Sequence, residues 1–305
     1  MGQFRTLLFL SSLLILPFTW HSFAQSNGTI SGYVTDTSGS VMPDVHVTLS
    51  NELTGAKREA SSNSQGFYQF LGLTPSTYRL DVEAANFRHF TNTGVTLRIG
   101  ENVRSDVRME VGSVTEHVDV TAAAEVVDTR SSTLASVIDD RRVTDLPLLN
   151  RNVISFAKLL PGVTQVAAGT NTDSSDSRGG PRITVNGGRQ NQTYETLNGT
   201  YFNNPSRNTG LNPPPPDAVQ EFRMQTSNYS AEDGRNAGAI VSVVTKSGTN
   251  DFHGSALEFY RNSALNARSF FDGAKPKQHQ NQFGAAAGGP VKRDKVFIFG
   301  KFEGI

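Results

Sequence analysis

The sequence predicts a mainly β chain: a sandwich first, then a mixed α/β unit, then the opening strands of another sheet. Three observations predict it. Short apolar/polar alternations separated by turn residues fill the first third. A single helix-period segment stands mid-chain at Val153 to Leu160. Longer alternating runs rich in Val, Ile, Phe and Tyr close the sequence, and period-2 alternation is the mark of a half-buried strand. The 28 glycines and 13 prolines fit a turn-rich, all-β composition.

The first 24 residues have the tripartite pattern of an export signal: Arg5, an apolar stretch from Leu7 to Leu16 broken only by Ser11 and Ser12, then Pro17. Ser22-Phe23-Ala24 supplies the small residues a signal peptidase reads, so cleavage after Ala24 leaves Gln25 as the mature start. The apolar stretch falls short of the roughly 20 residues that span a bilayer. No cysteine occurs, which excludes a lipoprotein anchor, disulfides and thiolate metal sites. An exported cysteine-free chain fits a bacterial periplasmic or outer-membrane setting. The 28 basic and 28 acidic residues balance, so nothing attracts nucleic acid.

Residues 27–110 alternate in short strands. Val45, Val47 and Leu49 interleave with His46, Thr48 and Ser50; Tyr78, Leu80, Val82 and Ala84 interleave with Arg79, Asp81 and Glu83; Val103, Ser105, Val107 and Met109 close the series. Alternation puts one face in a core and one in water. Gly32-x-Val34-x-Asp36, Gly39, Pro43, Val45 and Val47, then Gly66-Phe67-Tyr68-x-Phe70, Leu73, Pro75 and Tyr78 resemble a carboxypeptidase regulatory-like domain, a prealbumin-like sandwich grouped with carbohydrate-binding-like folds. That resemblance implies an accessory module without catalysis. Phe67, Tyr68, Phe70 and Tyr78 are expected in its core.

Beyond Gly112, the segment Glu116-His117-Val118-Asp119-Val120-Thr121-Ala122 is similar to a TonB box, with Asp119 departing from the commoner Val or Ile. Val118 and Val120 favour the extended form that a partner strand needs for strand addition. The other reading of these residues is a last sandwich strand or a linker strand.

Residues 123–248 resemble the plug of TonB-dependent outer-membrane transporters of the Oar-like group. Asp145-Leu-Pro147-Leu-Leu-Asn150-Arg151 precedes the helix-period segment, in which Val153, Phe156, Ala157 and Leu160 share a face before Pro161-Gly162. Ile183 to Arg189, Leu197-Asn198-Gly199, the strand Val219 to Gln225, and the run Ala231 to Ile240 follow the same family order. Pro213 to Asn262 resembles the plug-to-barrel junction: a proline run, a β-branched strand Ala239 to Thr245, the turn Lys246 to Asn250, and a strand leaving it in a hairpin or corner. The polar loops Thr170 to Gly180 and Asn203 to Asn212 are candidate ligand contacts, and Asp173, Asp176 and Arg178 lack the spacing of a calcium loop.

Residues 250–305 offer about three barrel strands, with Pro290 to Asp294 expected as a turn, whereas a transporter of this kind needs about 22. Three strands leave an open edge in lipid, so the chain alone is not expected to make a pore. The expected fold class is therefore mainly β: a prealbumin-like β-sandwich, then an α/β plug domain, then the first few strands of an incomplete transmembrane β-barrel.

The resemblance implies a receptor in the cell outer membrane, with sandwich and TonB box facing the periplasm. Its implied partners are the TonB C-terminal domain by strand addition, outer-membrane lipid through the missing barrel, and an unidentified small ligand such as a carbohydrate or an iron chelate. No cofactor, metal or catalytic residue is implied. A second reading is a secreted or periplasmic binding or adhesion module that uses the sandwich alone. An enzyme is disfavoured, since no Gly-x-Ser-x-Gly elbow, His-Glu-x-x-His pair or Gly-x-Gly-x-x-Gly cradle occurs.

Overall fold

The computed structural model describes residues 28–112, 117–121, 134–165 except 147, 149 and 150, 183–227 except 207 and 209, and 238–304 except 266, 269, 271, 272, 276 and 278. The export signal with Ala24 and Gln25, and the loop holding Asp173, Asp176 and Arg178, lie outside these residues.

Nine strands build the first unit: β1 (Gly28–Asp36), β2 (His46–Asn51), β3 (Lys57–Ser61), β4 (Phe67–Leu73), β5 (Ser76–Glu83), β6 (His89–Leu97), β7 (Asn102–Arg104), β8 (Val107–Met109) and β9 (His117–Thr121). One sheet runs β4-β1-β7, with β8 also on β1; the other runs β3-β2-β5-β6-β9. Their inward residues, among them Ile30, Val34, Val47, Leu49, Tyr68, Leu80, Val82, Leu97 and Met109, meet in one core. Alternation dictates this: in β5, Tyr78, Leu80 and Val82 are buried while Arg79 is exposed. The expected closing strand 103–109 is two short strands, both parallel to β1.

Tyr68, Phe70 and Tyr78 are core residues as expected. Phe67 is only half-buried, because its rotation to the outer face pairs it with Tyr33 at 5.3 Å. Tyr68 donates its phenol hydrogen bond to the Ser105 carbonyl, beside Gly32. A Cβ on Gly32 would lie 1.9 Å from that carbonyl oxygen, so only glycine lets the two strands close over the phenol. Burial pushes the Tyr68 phenol well above its ordinary range.

The second unit contains β10 (Leu134–Asp139), α1 (Asp140–Asp145), β11 (Val163–Gln165), β12 (Ile183–Val185), β13 (Thr193–Leu197), β14 (Thr200–Tyr201), β15 (Val219–Ser227) and β16 (Ala239–Thr245). Its main sheet is ordered β10-β15-β16-β13-β14, with β13 and β16 parallel. β16 is central and buried on both faces from Ala239 to Val243, which its near-continuous β-branched run suits. The Asp139 carboxylate caps α1 by accepting from the Arg142 N–H at 2.9 Å.

The helix-period segment is a 3-10 helix, Val153–Leu159, rather than an α-helix. Three residues per turn stack Val153 on Phe156 and Ile154 on Ala157, so Ile154 joins the buried face, while Leu160 packs against it only in part.

The third unit is an antiparallel meander of β17 (His253–Asn262), β18 (His279–Lys292) and β19 (Val296–Gly304). β16 and β17 belong to different sheets, so Lys246 to Asn250 is a corner and not a hairpin. Pro290 lies inside β18, where the register shifts between Pro290 and Lys292 and a missing N–H is tolerated. The turn instead centres on Asp294, at φ 62°. Along β19, Val296, Ile298 and Phe302 are exposed while Phe297, Phe299, Lys301 and Glu303 turn to the other face.

Candidate functional site

Four charged side chains meet where the second unit touches the meander. Arg151 sits in the left-handed region at φ 49°, immediately before the 3-10 helix that Asn152 caps through Ile154 N–H at 2.9 Å. A non-glycine residue held there stores about 1–3 kcal/mol of backbone strain, which its surroundings must offset. The Arg151 guanidinium donates to the Asp217 carboxylate, and its Nε lies 3.4 Å from Glu303 Oε1 without hydrogen-bond geometry. Lys301 Nζ donates to Asp217 Oδ2 at 3.1 Å and to Glu303 Oε2 at 2.5 Å. Gln282 donates to the other Glu303 oxygen, and the Phe259 ring lies 4.9 Å from the Arg151 guanidinium carbon.

Each position follows from local sequence. Pro213 to Pro216 stiffens the approach to Asp217, which lies in a 3-10 turn opened by Pro216. Lys301 and Glu303 stand two apart on β19 and so share its inner face. Opposite them, Glu303 pairs with Gly284 and Lys301 with Ala286, small residues on the neighbouring strand. The cluster is neutral, two cations against two carboxylates, and each side chain is at most 12 % exposed. Such a cluster is tolerated when whole and costly when one member is lost. Its ion pairs bridge the second unit and the meander as a polar lock.

A second junction joins the sandwich to β15. The Glu221 carboxylate accepts the Ile99 N–H at 2.8 Å, and Arg223 donates to the Ile99 carbonyl. Gln220 Nε2 donates to the Pro75 carbonyl at 3.2 Å. Gly100, at φ 60°, leaves room for the guanidinium, since a Cβ there would come within 2.7 Å of Arg223 Nη1. Burial raises Glu221 to about 7, against the lowering pull of the Ile99 N–H, Arg98 and Arg223. The sandwich also reaches the third unit, where the Asn250 N–H donates to the Leu53 carbonyl at 3.0 Å.

Of the seven residues that resemble a TonB box, His117, Val118, Asp119, Val120 and Thr121 form β9; Glu116 and Ala122 lie outside the described residues. β9 pairs in parallel with β6, so the sandwich sheet extends past Glu110. In the candidate ligand loop 203–212, Asn203 is buried and serves its own scaffold: its Oδ1 accepts from Glu195 N–H and its Nδ2 donates to Thr193 O, each at 2.7 Å. The neighbouring Glu195 carboxyl is raised to about 8 by burial. Among the described residues no group of three or more His, Cys, Asp or Glu side chains could hold a metal ion.

Sequence reasoning singled out Arg151 within its motif but missed Asp217, Lys301, Glu303 and the Ile99 clamp. The signal available was two charges spaced two apart, Lys301 and Glu303, on an otherwise apolar strand.

Residues 29–110 match a carboxypeptidase regulatory-like domain, and residues 244–305 match an outer membrane beta barrel domain. The TonB-dependent transporter Oar of Myxococcus xanthus is 26% identical over 297 residues, covering 92% of this chain and 27% of the relative. The siderophore receptor PirA of Acinetobacter baumannii is 23% identical with TM-score 0.42, covering 56% of this chain and 24% of that one. The ferric enterobactin receptor PfeA of Pseudomonas aeruginosa is 18% identical with TM-score 0.40, covering 55% and 24%. The chain thus spans about a quarter of the length of these relatives.

Proposed function

We propose that this chain, a homologue of the TonB-dependent transporter Oar, is the gate-bearing part of an outer-membrane receptor that imports a small ligand with energy from TonB. The transporter homology and the barrel-domain match give it an outer-membrane location. In this reading residues 1–24 are the export signal, 27–110 the periplasmic sandwich, 116–122 the TonB-binding handle, 123–248 the plug, and 250–305 the start of the barrel wall. The ligand, a carbohydrate or an iron chelate in the simplest cases, would meet plug and wall from the outer side.

The lock of Arg151 and Asp217 with Lys301 and Glu303 carries this reading, because it ties a gate-like unit to the inner face of a meander whose last strand exposes Val296, Ile298 and Phe302 on the outer one. Exposed Ile298 (62%) and Phe302 (65%) suit lipid better than water and speak against a soluble binding module.

The gate would work mechanically. Residues 122–133 lead from the handle to β10, the edge strand of the second sheet. β10 pairs with β15, and β15 begins two residues after Asp217. Tension on the handle would reach β10 first and β15 next, then pull Asp217 from Arg151 and Lys301. The lock is suited to this, since ion pairs surrender strength steeply once water enters.

Deleting Glu116 to Ala122 in the intact protein tests the assignment. Loss of cross-linking to TonB and of energised uptake is expected; unchanged cross-linking overturns it.

A further inference from the structure

The predicted handle has a built dock. His89, Phe90, Thr91, Asn92 and Thr93 of β6 pair in parallel with His117, Val118, Asp119, Val120 and Thr121 of β9. β9 is the last strand of the β3-β2-β5-β6-β9 sheet, and among the described residues no strand covers its other side. An uncovered edge presents a row of backbone N–H and C=O groups, which is what a partner strand adds to.

We propose that the β6 edge of the sandwich is a template for the handle, and that the TonB strand adds to the free edge of β9 while β9 stays paired with β6. The proposal rests on the reading of 116–122 as the handle. It gives the sandwich an interaction surface, with β9 as its occupant and an extended peptide segment as the partner of the assembled edge. The five-stranded sheet then becomes a six-stranded one shared between two proteins.

Two physical arguments favour templating over release. Ordering a free chain costs backbone conformational entropy, and a handle already extended on β6 spares the partner that cost. The second argument is the course of β6. It ends at Leu97, two residues before Ile99, whose backbone is gripped by Glu221 and Arg223 of β15. A handle pulled while docked therefore loads β6 and, through Ile99, the same strand that the covalent path reaches through β10.

No cysteine occurs in residues 1–305, so a cysteine pair introduced here has no competing thiol within this segment. Thr93 and Thr121 are register partners, and strands about 4.8 Å apart lie within the separation a disulfide accepts. With Thr93→Cys and Thr121→Cys, the oxidised protein is expected to bind the isolated TonB C-terminal domain at least as tightly as the reduced protein. Binding lost on oxidation and restored by reduction overturns the proposal, since the handle must then leave β6. Hydrogen exchange on the unmodified protein gives an answer independent of the cysteines. Amides 89–93 should stay protected when the TonB domain binds, and faster exchange there also overturns templating. Absence of TonB binding by the unmodified protein overturns the handle reading itself, and templating with it.

Discussion

Glu221 holds the backbone of Ile99: its carboxylate accepts the Ile99 N–H at 2.8 Å, 122 residues away in sequence. Arg223, two residues along β15, takes the Ile99 carbonyl, so one peptide segment is pinned from both sides. This is the point at which the sandwich stops being an appendage and becomes fixed to the second unit.

Removing that grip should show first in local opening. Glu221→Ala leaves the Ile99 N–H without its acceptor, at a cost of about 1–3 kcal/mol. Amide exchange at Ile99 is expected to accelerate by about tenfold or more, while exchange in the sandwich core around Val47 and Leu80 stays unchanged. Unchanged exchange at Ile99 would refute the clamp.

The lock should be fragile to loss of a single member. Arg151→Ala strands Asp217 and Glu303 with Lys301 alone, and breaking a buried pair in this way costs about 3–5 kcal/mol. Denaturant titration of the second unit in detergent should show the loss. A double-mutant cycle with Glu303→Ala should return a coupling energy clearly above zero.

Glu195 should make the second unit weaker at alkaline pH. Burial raises its carboxyl to about 8, so the folded protein keeps a proton that the unfolded chain gives up from pH 4.5 upward. Stability from this group is therefore greatest below pH 4.5 and is lost as pH rises toward 8. Glu195→Gln is expected to raise the unfolding midpoint at pH 8 and leave it nearly unchanged at pH 4. Equal effects at both pH values would contradict the assignment.

Gly32→Ala is expected to unseat the sandwich. Its Cβ would press on the Ser105 carbonyl that Tyr68 binds, and overpacking of this kind costs about 1–3 kcal/mol or more. Thermal unfolding would register the drop, and an unchanged midpoint would refute the close approach of Gly32 to the Ser105 carbonyl.

Much of this molecule could be read before folding. The alternation of Tyr78, Leu80 and Val82 identified a half-buried strand, and the β-branched run at Ala239 to Thr245 identified another. Register was less legible. Pro290 read as a turn residue because proline usually ends strands, yet a bulge accommodates it. The segment from Val153 read with a period of 3.6 because four residues cannot distinguish that from the observed period of 3.

Strand positions, the core of the sandwich, the export signal pattern and the extended nature of 117–121 were local properties of the sequence. Periodicity, turn chemistry and β-propensity act over a few residues. Only the tertiary structure decided that Arg151 meets Glu303, that Glu221 grips Ile99 and that β9 lies on β6. Contacts between residues so distant in sequence depend on how whole sheets stack, and an isolated charge carries no mark of the opposite charge it will meet.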